Sequence, residues 1–206
     1  MWPDPTETQK LLIEAKRAAP GAVDALLTRH REALRRAIAL RLDAAVSRRV
    51  DASDIVQEVM LEASRRLNDY LANPAMPFHL WLRSLAQDHV IDAHRRHRLA
   101  QRRSVDREQA MHHHGFAGQS SIDLIAGLVD PELTPASAAI REELERRFHA
   151  ALAEMNDDDR EIITLRHFEQ LSNQDAAAVL KVSEPAAAMR YMRAVRRLQG
   201  LLAPKS

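Results

Sequence analysis

Arginine is the residue type with which this chain can do most chemistry. Of its 30 cationic side chains only Lys10, Lys16, Lys181 and Lys205 are lysines, and the planar guanidinium fork matches pairs of phosphate or carboxylate oxygens. That bias suits a nucleic-acid partner, and it equally suits a GC-rich genome. Two clusters give it a place. From Arg95 to Arg107 the chain reads RRHRLAQRRSVDR, with Asp106 the lone acid, and near the C-terminus Arg190, Arg193, Arg196 and Arg197 recur on one side of a helical pattern. Acid collects elsewhere, in MNDDDRE at 155–161. The net charge of +1 is therefore a sum of separated patches: residues 1–110 carry 19 cations against 15 acids, and residues 111–206 carry 11 against 14.

Other chemistries have little to work with. There is no cysteine, which removes disulfides, thiolate zinc sites and cysteine nucleophiles and fits a reducing compartment. No histidine has glutamate three residues before it, as a di-metal carboxylate bundle would need. His94 and His97, one turn apart, could share a metal, but solvent-facing or internally satisfied histidines are the stronger reading. No phosphate-binding Walker loop, dinucleotide glycine fingerprint or nucleophile elbow occurs. A binding protein is expected, neither an enzyme nor a cofactor carrier. The N-terminus MWPDPTETQK has prolines and acids where a secretory signal has a basic stretch and apolar core. No apolar run approaches the ~20 residues that span a bilayer, so no membrane insertion and a cytoplasmic location are expected.

The elements that would carry these residues are helical. Aromatics make up 4% and glycines number 5, too few for strands and their turns, whereas alanine, leucine, arginine and glutamate favour helix. A short helix from Thr6 to Ala19 stops at Pro20-Gly21. A longer one from Ala22 buries Val23, Leu26, Leu27, Leu34, Ile38 and Leu42. A third starts near Ser53, with Ile55, Val56, Val59, Met60, Ala63 and Leu67 inward and Asp54, Gln57, Glu58, Leu61, Glu62 and Arg65 outward. Asn73-Pro74-Ala75-Met76-Pro77 ends it, and a fourth runs from Phe78 into the arginine block with Leu82, Leu85, Ala86, Val90 and Ile91 inward. Residues 109–135, with His112, His113, His114 and several glycines, serines and prolines, have the composition of a linker. Periodicity resumes at Ile140, with Thr134 and Pro135 as the expected helix start. The fold class is all-α: a helical bundle domain at 1–108, a linker at 109–135 and a second helical domain at 136–206.

The C-terminal domain carries the sharpest local signal. Ser172-Asn173-Gln174-Asp175 has the spacing of a capping box and opens a helix ending near Leu180. Lys181-Val182 turn the chain, and Ser183 caps a second helix with Pro185 in its first turn. So short a turn makes a helix-turn-helix. Small Ala177 suits the close approach, with Val182 and Ala187 plugging the angle. The second helix buries Ala187, Tyr191, Val195, Leu198 and Leu202 and turns out Arg190, Arg193, Arg196 and Arg197, a cationic face that a major groove admits.

Two segments together resemble the extracytoplasmic-function (ECF) sigma factors of bacterial RNA polymerase. DASDIVQEVMLEASRRL (51–67) with FHLWLRSLAQDHVIDAHRR (78–96) is similar to their region 2, and 152–198 is similar to region 4. The resemblance implies an alternative sigma factor that binds core polymerase, through the β′ clamp coiled coil and the β flap, and promoter DNA. Residues matching the polymerase-binding face are Asp54, Gln57, Glu58, Leu61 and Glu62. The start-proximal element would be opened and held by Asn68, Asp69, Tyr70 and Asn73, in a loop from Asn68 to Pro77, with Arg83, Arg95, Arg96 and Arg98 on phosphates. Phe78 and Trp81 would serve the core. On the recognition helix Glu184, Ala186, Ala188, Met189, Arg190, Arg193 and Arg197 would lie at the upstream (minus-thirty-five) element. Three departures stand out: Gln87-Asp88 where the family has Arg-Asn, Lys181 where it has a turn glycine, and Ala186 and Ala188 where polar residues are common. A stand-alone helix-turn-helix regulator with a dimerising or sensing bundle is the alternative. An anti-sigma partner clamping both domains is a third idea that no sequence feature shows.

Overall fold

The computed structural model describes residues 2–42, 44–103 and 138–203. Those residues are helical apart from turns and caps, and they fall in two compact units that precede and follow the segment 104–137 in sequence. The expected linker, its three histidines and the Thr134-Pro135 helix start lie outside the described residues.

In the first unit, α1 (Pro5–Lys16) begins where the Asp4 carboxylate accepts from the backbone N–H groups of Thr6 and Glu7, with Pro5 at the first helical position. It stops before the expected Pro20, at Arg17, and Ala18 takes a left-handed φ of 55°. Helix α2 (Ala22–Ala39) is followed by a single turn, α3 (Ala44–Ser47), too short for periodicity to show. Helix α4 (Ala52–Ala72) is capped by Asp51, which accepts from the Ser53 N–H, and α5 (Phe78–Arg103) runs into the arginine block as expected. Leu26, Leu34 and Ile38 of α2, Ile55, Val59 and Ala63 of α4, and Leu82 and Leu85 of α5 form the shared core, each no more than 2% exposed. Burying one such leucine or isoleucine is worth roughly 1.5–3 kcal/mol. Ile91 departs from expectation and is 50% exposed. Val90 and Ala93 fill the inward positions, and a residue 100° round from Val90 falls outside that stripe.

His30 of α2 is buried beneath α1. Its Nε2 lies 3.2 Å from the Thr8 hydroxyl, and the Phe78 ring meets it edge-on at 5.0 Å. Burial, with the charges of His79 and Arg29, pushes its pKa down to about 4.

In the second unit, α6 (Ala138–Glu154) is followed by α7 (Asp157–Ile163), capped by the Asn156 side chain. The chain then widens into a π-helical turn, Thr164–Phe168. Helices α8 (Asn173–Leu180) and α9 (Glu184–Leu202) complete it around Phe148, Leu152, Ile162, Leu165, Ala187, Ala194 and Leu198. The expected helix-turn-helix is formed by α8 and α9. Ser172 Oγ accepts from the Asp175 N–H at 3.0 Å and donates to the Asp175 carboxylate at 2.7 Å. The capping pair is thus reciprocal through the hydroxyl itself. Lys181 adopts φ 55°, ψ 42°, the left-handed region that glycine occupies more easily, and the Val182 N–H donates back to the Ala177 carbonyl. Ala177 and Ala187 are buried at the crossing, whereas Val182 is half-buried. Tyr191 and Val195 are also half-buried rather than buried, because Ala194 takes the central position of α9.

Candidate polymerase- and promoter-binding surfaces

The inward stripe of α4 dictates its outward face. With Ile55, Val59 and Ala63 in the core, Asp54, Gln57, Glu58 and Leu61 are left exposed and Glu62 half-buried. Leu61 is 55% exposed among acids, an apolar anchor in a charged rim, which is the make-up of a protein-docking patch. Helix α5 braces this face. The His89 ring stands between two carboxylates, with Nδ1 3.2 Å from Glu58 and Nε2 2.7 Å from Glu62. Arg66 donates to Glu62 at 2.8 Å, and Arg96 lies 3.6 Å from Glu58. Hydrogen bonds from Arg66 and then His89 hold the Glu62 carboxyl below the usual carboxylate range. A neutral imidazole carries one N–H and donates to one of these carboxylates; an imidazolium donates to both.

The residues expected at the start-proximal element are not all in one place. Asn68, Asp69 and Asn73 are exposed, but Asn68 and Asp69 lie within α4, which continues to Ala72. The expected loop is therefore shortened to Asn73–Pro77, because Leu67 and Tyr70 extend the helical stripe. Tyr70 is 8% exposed and stacks on Trp81 at 4.8 Å, with Phe78 edge-on at 5.5 Å. Its face is covered and offers no platform for a base. Its hydroxyl donates to the Met76 carbonyl at 2.9 Å, tying down the loop's end. Phe78 and Trp81 are core residues, as expected. Arg83 is 8% exposed, turned into the bundle rather than towards a phosphate. Arg95 and Arg96 are exposed but pair with Asp92 at 3.0 Å and Glu58 at 3.6 Å. The Arg98 side chain lies outside the described residues. Of the departures from the family pattern, Asp88 is exposed and the Gln87 amide oxygen is buried.

On α9, Glu184, Ala186, Met189, Arg193 and Arg197 are exposed, and Ala188 is half-buried. Arg190 differs from expectation. It is half-buried, with Nη1 3.5 Å from the Asp158 carboxylate, and Arg197 Nη1 lies 3.6 Å from Asp159. The acidic stretch seen in the sequence is thus the first turn of α7, laid beside the recognition helix. A second link comes from the π-turn, where the Arg166 guanidinium donates to the Leu171 carbonyl and lies over the Tyr191 ring at 5.5 Å. The acidic stretch holding Asp158 and Asp159 was visible in the sequence but not which arginines it meets, and His89 and Arg166 went unread because each acts across helices. Among the described residues no cluster of histidine and acidic side chains is arranged to hold a metal, and no helix is long and apolar enough to cross a membrane.

Comparison with known proteins agrees with this geometry. The model of sigma-70 region 2 matches residues 26–100, which holds α4 and most of α5, and that of sigma-70 region 4 matches 145–198, which holds the helix-turn-helix. The chain belongs to the extracytoplasmic-function sigma factors. A probable RNA polymerase sigma factor RfaY of Xanthomonas campestris pv. campestris is 34% identical over 151 residues, 73% of this chain. The chain spans only about a third (34%) of that relative's length. The RNA polymerase sigma-H factor of Pseudomonas aeruginosa is 29% identical over 156 residues, 75% of this chain and 74% of the relative. Structurally, this sigma factor shares its fold with CnrH, solved in complex with the cytosolic domain of CnrY, at a TM-score of 0.58 and 24% identity over 97% of both chains. Sigma factors are initiation factors and not enzymes in themselves, and regions 2 and 4 imply binding to core RNA polymerase and promoter DNA.

Proposed function

We propose that this chain directs core RNA polymerase to a subset of promoters as an alternative sigma factor, working where the polymerase does, in the cytoplasm. The observation that carries the reading is the outward face of α4 within the region 2 match: Asp54, Gln57, Glu58 and Leu61 exposed, with Glu62 beside them. That face docks on a basic partner helix, the β′ clamp coiled coil. Region 4 docks near the β flap and lays α9 in the major groove of the upstream element. Asn68, Asp69, Asn73 and the loop to Pro77 hold the start-proximal element, with Arg95 for phosphate; Tyr70 and Arg83 act from inside, by fixing that loop and helix. Division of labour follows the two units, 1–108 and 136–206 joined by 109–135. Each DNA contact can be weak, because one polymerase links them and raises the effective concentration of the second.

Purified core polymerase with and without the chain, on fragmented genomic DNA, tests this. Transcripts starting at discrete sites only when the chain is present are expected. Absence of both core binding and site-specific transcripts overturns the proposal. A double substitution Gln57→Ala, Glu58→Ala that leaves polymerase binding unchanged moves the docking site elsewhere.

A further inference from the structure

The solvent crest of α9 is apolar where base readout is expected to be polar. Pro185, Met189 and Met192 recur at four- and three-residue intervals, one face of the helix opposite the buried Ala187, Ala194 and Leu198. Met189 is 61% and Met192 48% exposed. Among the described residues they are the one pair of large exposed apolar side chains a single turn apart on the same helix. Ala186 lies exposed beside them, and Glu184 is the one charged residue in the helix's first turn. The arginines flank this crest. Arg190 and Arg197 lie along the edge towards α7, drawn to Asp158 and Asp159, while Arg193 and Arg196 are exposed farther along.

In a helix-turn-helix, base edges are met by the N-terminal residues of the recognition helix. The major groove shows donors, acceptors and one apolar feature, the thymine C5 methyl. Alanine and methionine side chains have no strong donor or acceptor, so that methyl is what they can tell apart, and an unbranched thioether adapts well to its exact position. Resting on the reading of α9 as the promoter-recognition helix, we infer that Met189 and Met192, with Ala186, read thymine methyl groups in the upstream element. The arginines hold phosphates and steer approach. The cationic flanks select DNA over an apolar protein groove as occupant of the crest.

The test uses the full-length chain with core polymerase and a promoter duplex recovered by its own transcript starts. The upstream element is synthesised twice, with thymidine or with deoxyuridine, which lacks only the methyl. Each contacted thymine that is replaced should weaken binding roughly three- to five-fold. The double variant Met189→Ala, Met192→Ala should lose affinity for the thymidine duplex and no longer distinguish the two. Arg193→Ala should weaken both duplexes alike. Equal wild-type binding to both duplexes overturns methyl readout while leaving the recognition-helix reading in place. If neither the methionine nor the Arg193 variant alters binding, α9 is not the reading helix and the underlying proposal fails as well. If the methionine variant leaves DNA binding intact and instead loses a protein partner, the crest is a protein-docking face and the inference is wrong.

Discussion

Arg190 Nη1 and an Asp158 carboxylate oxygen lie 3.5 Å apart, so a cation of the recognition helix is already engaged by an acid of its own domain. Asp159 stands in the same relation to Arg197 at 3.6 Å. Promoter phosphate must displace these carboxylates or accept their repulsion. In each pair one side chain is open to water, Asp158 at 76% and Arg197 at 53%, while its partner is largely covered, Arg190 at 25% and Asp159 at 17%; solvent reaching the open partner keeps each pair to about 1 kcal/mol. The double substitution Asp158→Asn, Asp159→Asn should therefore raise affinity for the upstream element about two- to five-fold at low salt, an advantage that shrinks as salt rises. Titration of the full chain with core polymerase on a labelled promoter at two salt concentrations measures it. Unchanged affinity at low salt would mean that the pairs do not compete with DNA.

What the sequence discloses here divides by distance along the chain. The caps at Ser172 and Ser183 and the turn at Lys181-Val182 depend on neighbours three to five residues away, and they were legible. The outward face of α4 follows from its inward stripe, and was legible too. Tyr70 was misread for a local reason, being placed in a loop when it extends the buried series Ala63, Leu67. Pairings between helices left no such trace. His89 meets Glu58 across 31 residues, and Arg190 meets Asp158 across a similar span. Both depend on how two helices cross, which no local spacing records. Arg83 belongs to the same class: only the packing of α5 turns it inward.

Leu61 should carry much of the polymerase affinity. It is 55% exposed on α4, so truncating it removes little from the folded core, whereas an apolar anchor desolvated among charges dominates a docking patch. Leu61→Ala should weaken core-polymerase binding by about 1–2 kcal/mol, roughly five- to thirty-fold, with no loss of thermal stability. Binding and melting measured on one preparation separate the two effects. Intact binding would take Leu61 out of the interface, and a lowered melting temperature would assign it to the fold.

The N-terminal unit should weaken in acid through His30. Above about pH 6.5 the residue is neutral in folded and unfolded chains alike, and it adds no pH dependence. Below that, the unfolded chain takes up a proton that the folded one refuses until its own value of about 4. The unfolded state then holds more protons, so stability rises with pH across this window and is lost as pH falls through it. The loss is at most about 3 kcal/mol, since one pKa unit is worth about 1.4 kcal/mol. Chemical denaturation at about pH 7 and about pH 4.5, with His30→Leu as the non-titrating comparison, isolates this group from carboxylates that titrate lower. His30→Leu should be less stable than wild type near neutrality, having lost the Thr8 contact, and should show a shallower decline. Parallel declines would place the pH dependence elsewhere.

Lys181 stores strain in the helix-turn-helix. Its φ of 55° and ψ of 42° place a Cβ-bearing residue in the left-handed region, which costs roughly 1–2 kcal/mol for residues other than glycine. The position is nonetheless fixed, because the Val182 N–H reaches the Ala177 carbonyl at 3.1 Å only if the chain reverses there. The side chain is exposed, so replacing it removes no packing. Lys181→Gly should stabilise the C-terminal unit by about 1 kcal/mol, glycine's greater unfolded-state entropy offsetting part of the relieved strain. For a unit of this size that is a rise of about 4–8 °C in its melting transition. Lys181→Ala keeps the Cβ and loses only a charge, so it should leave the transition nearly unchanged. A gain from alanine equal to that from glycine would trace the effect to the lysine charge and not to backbone strain.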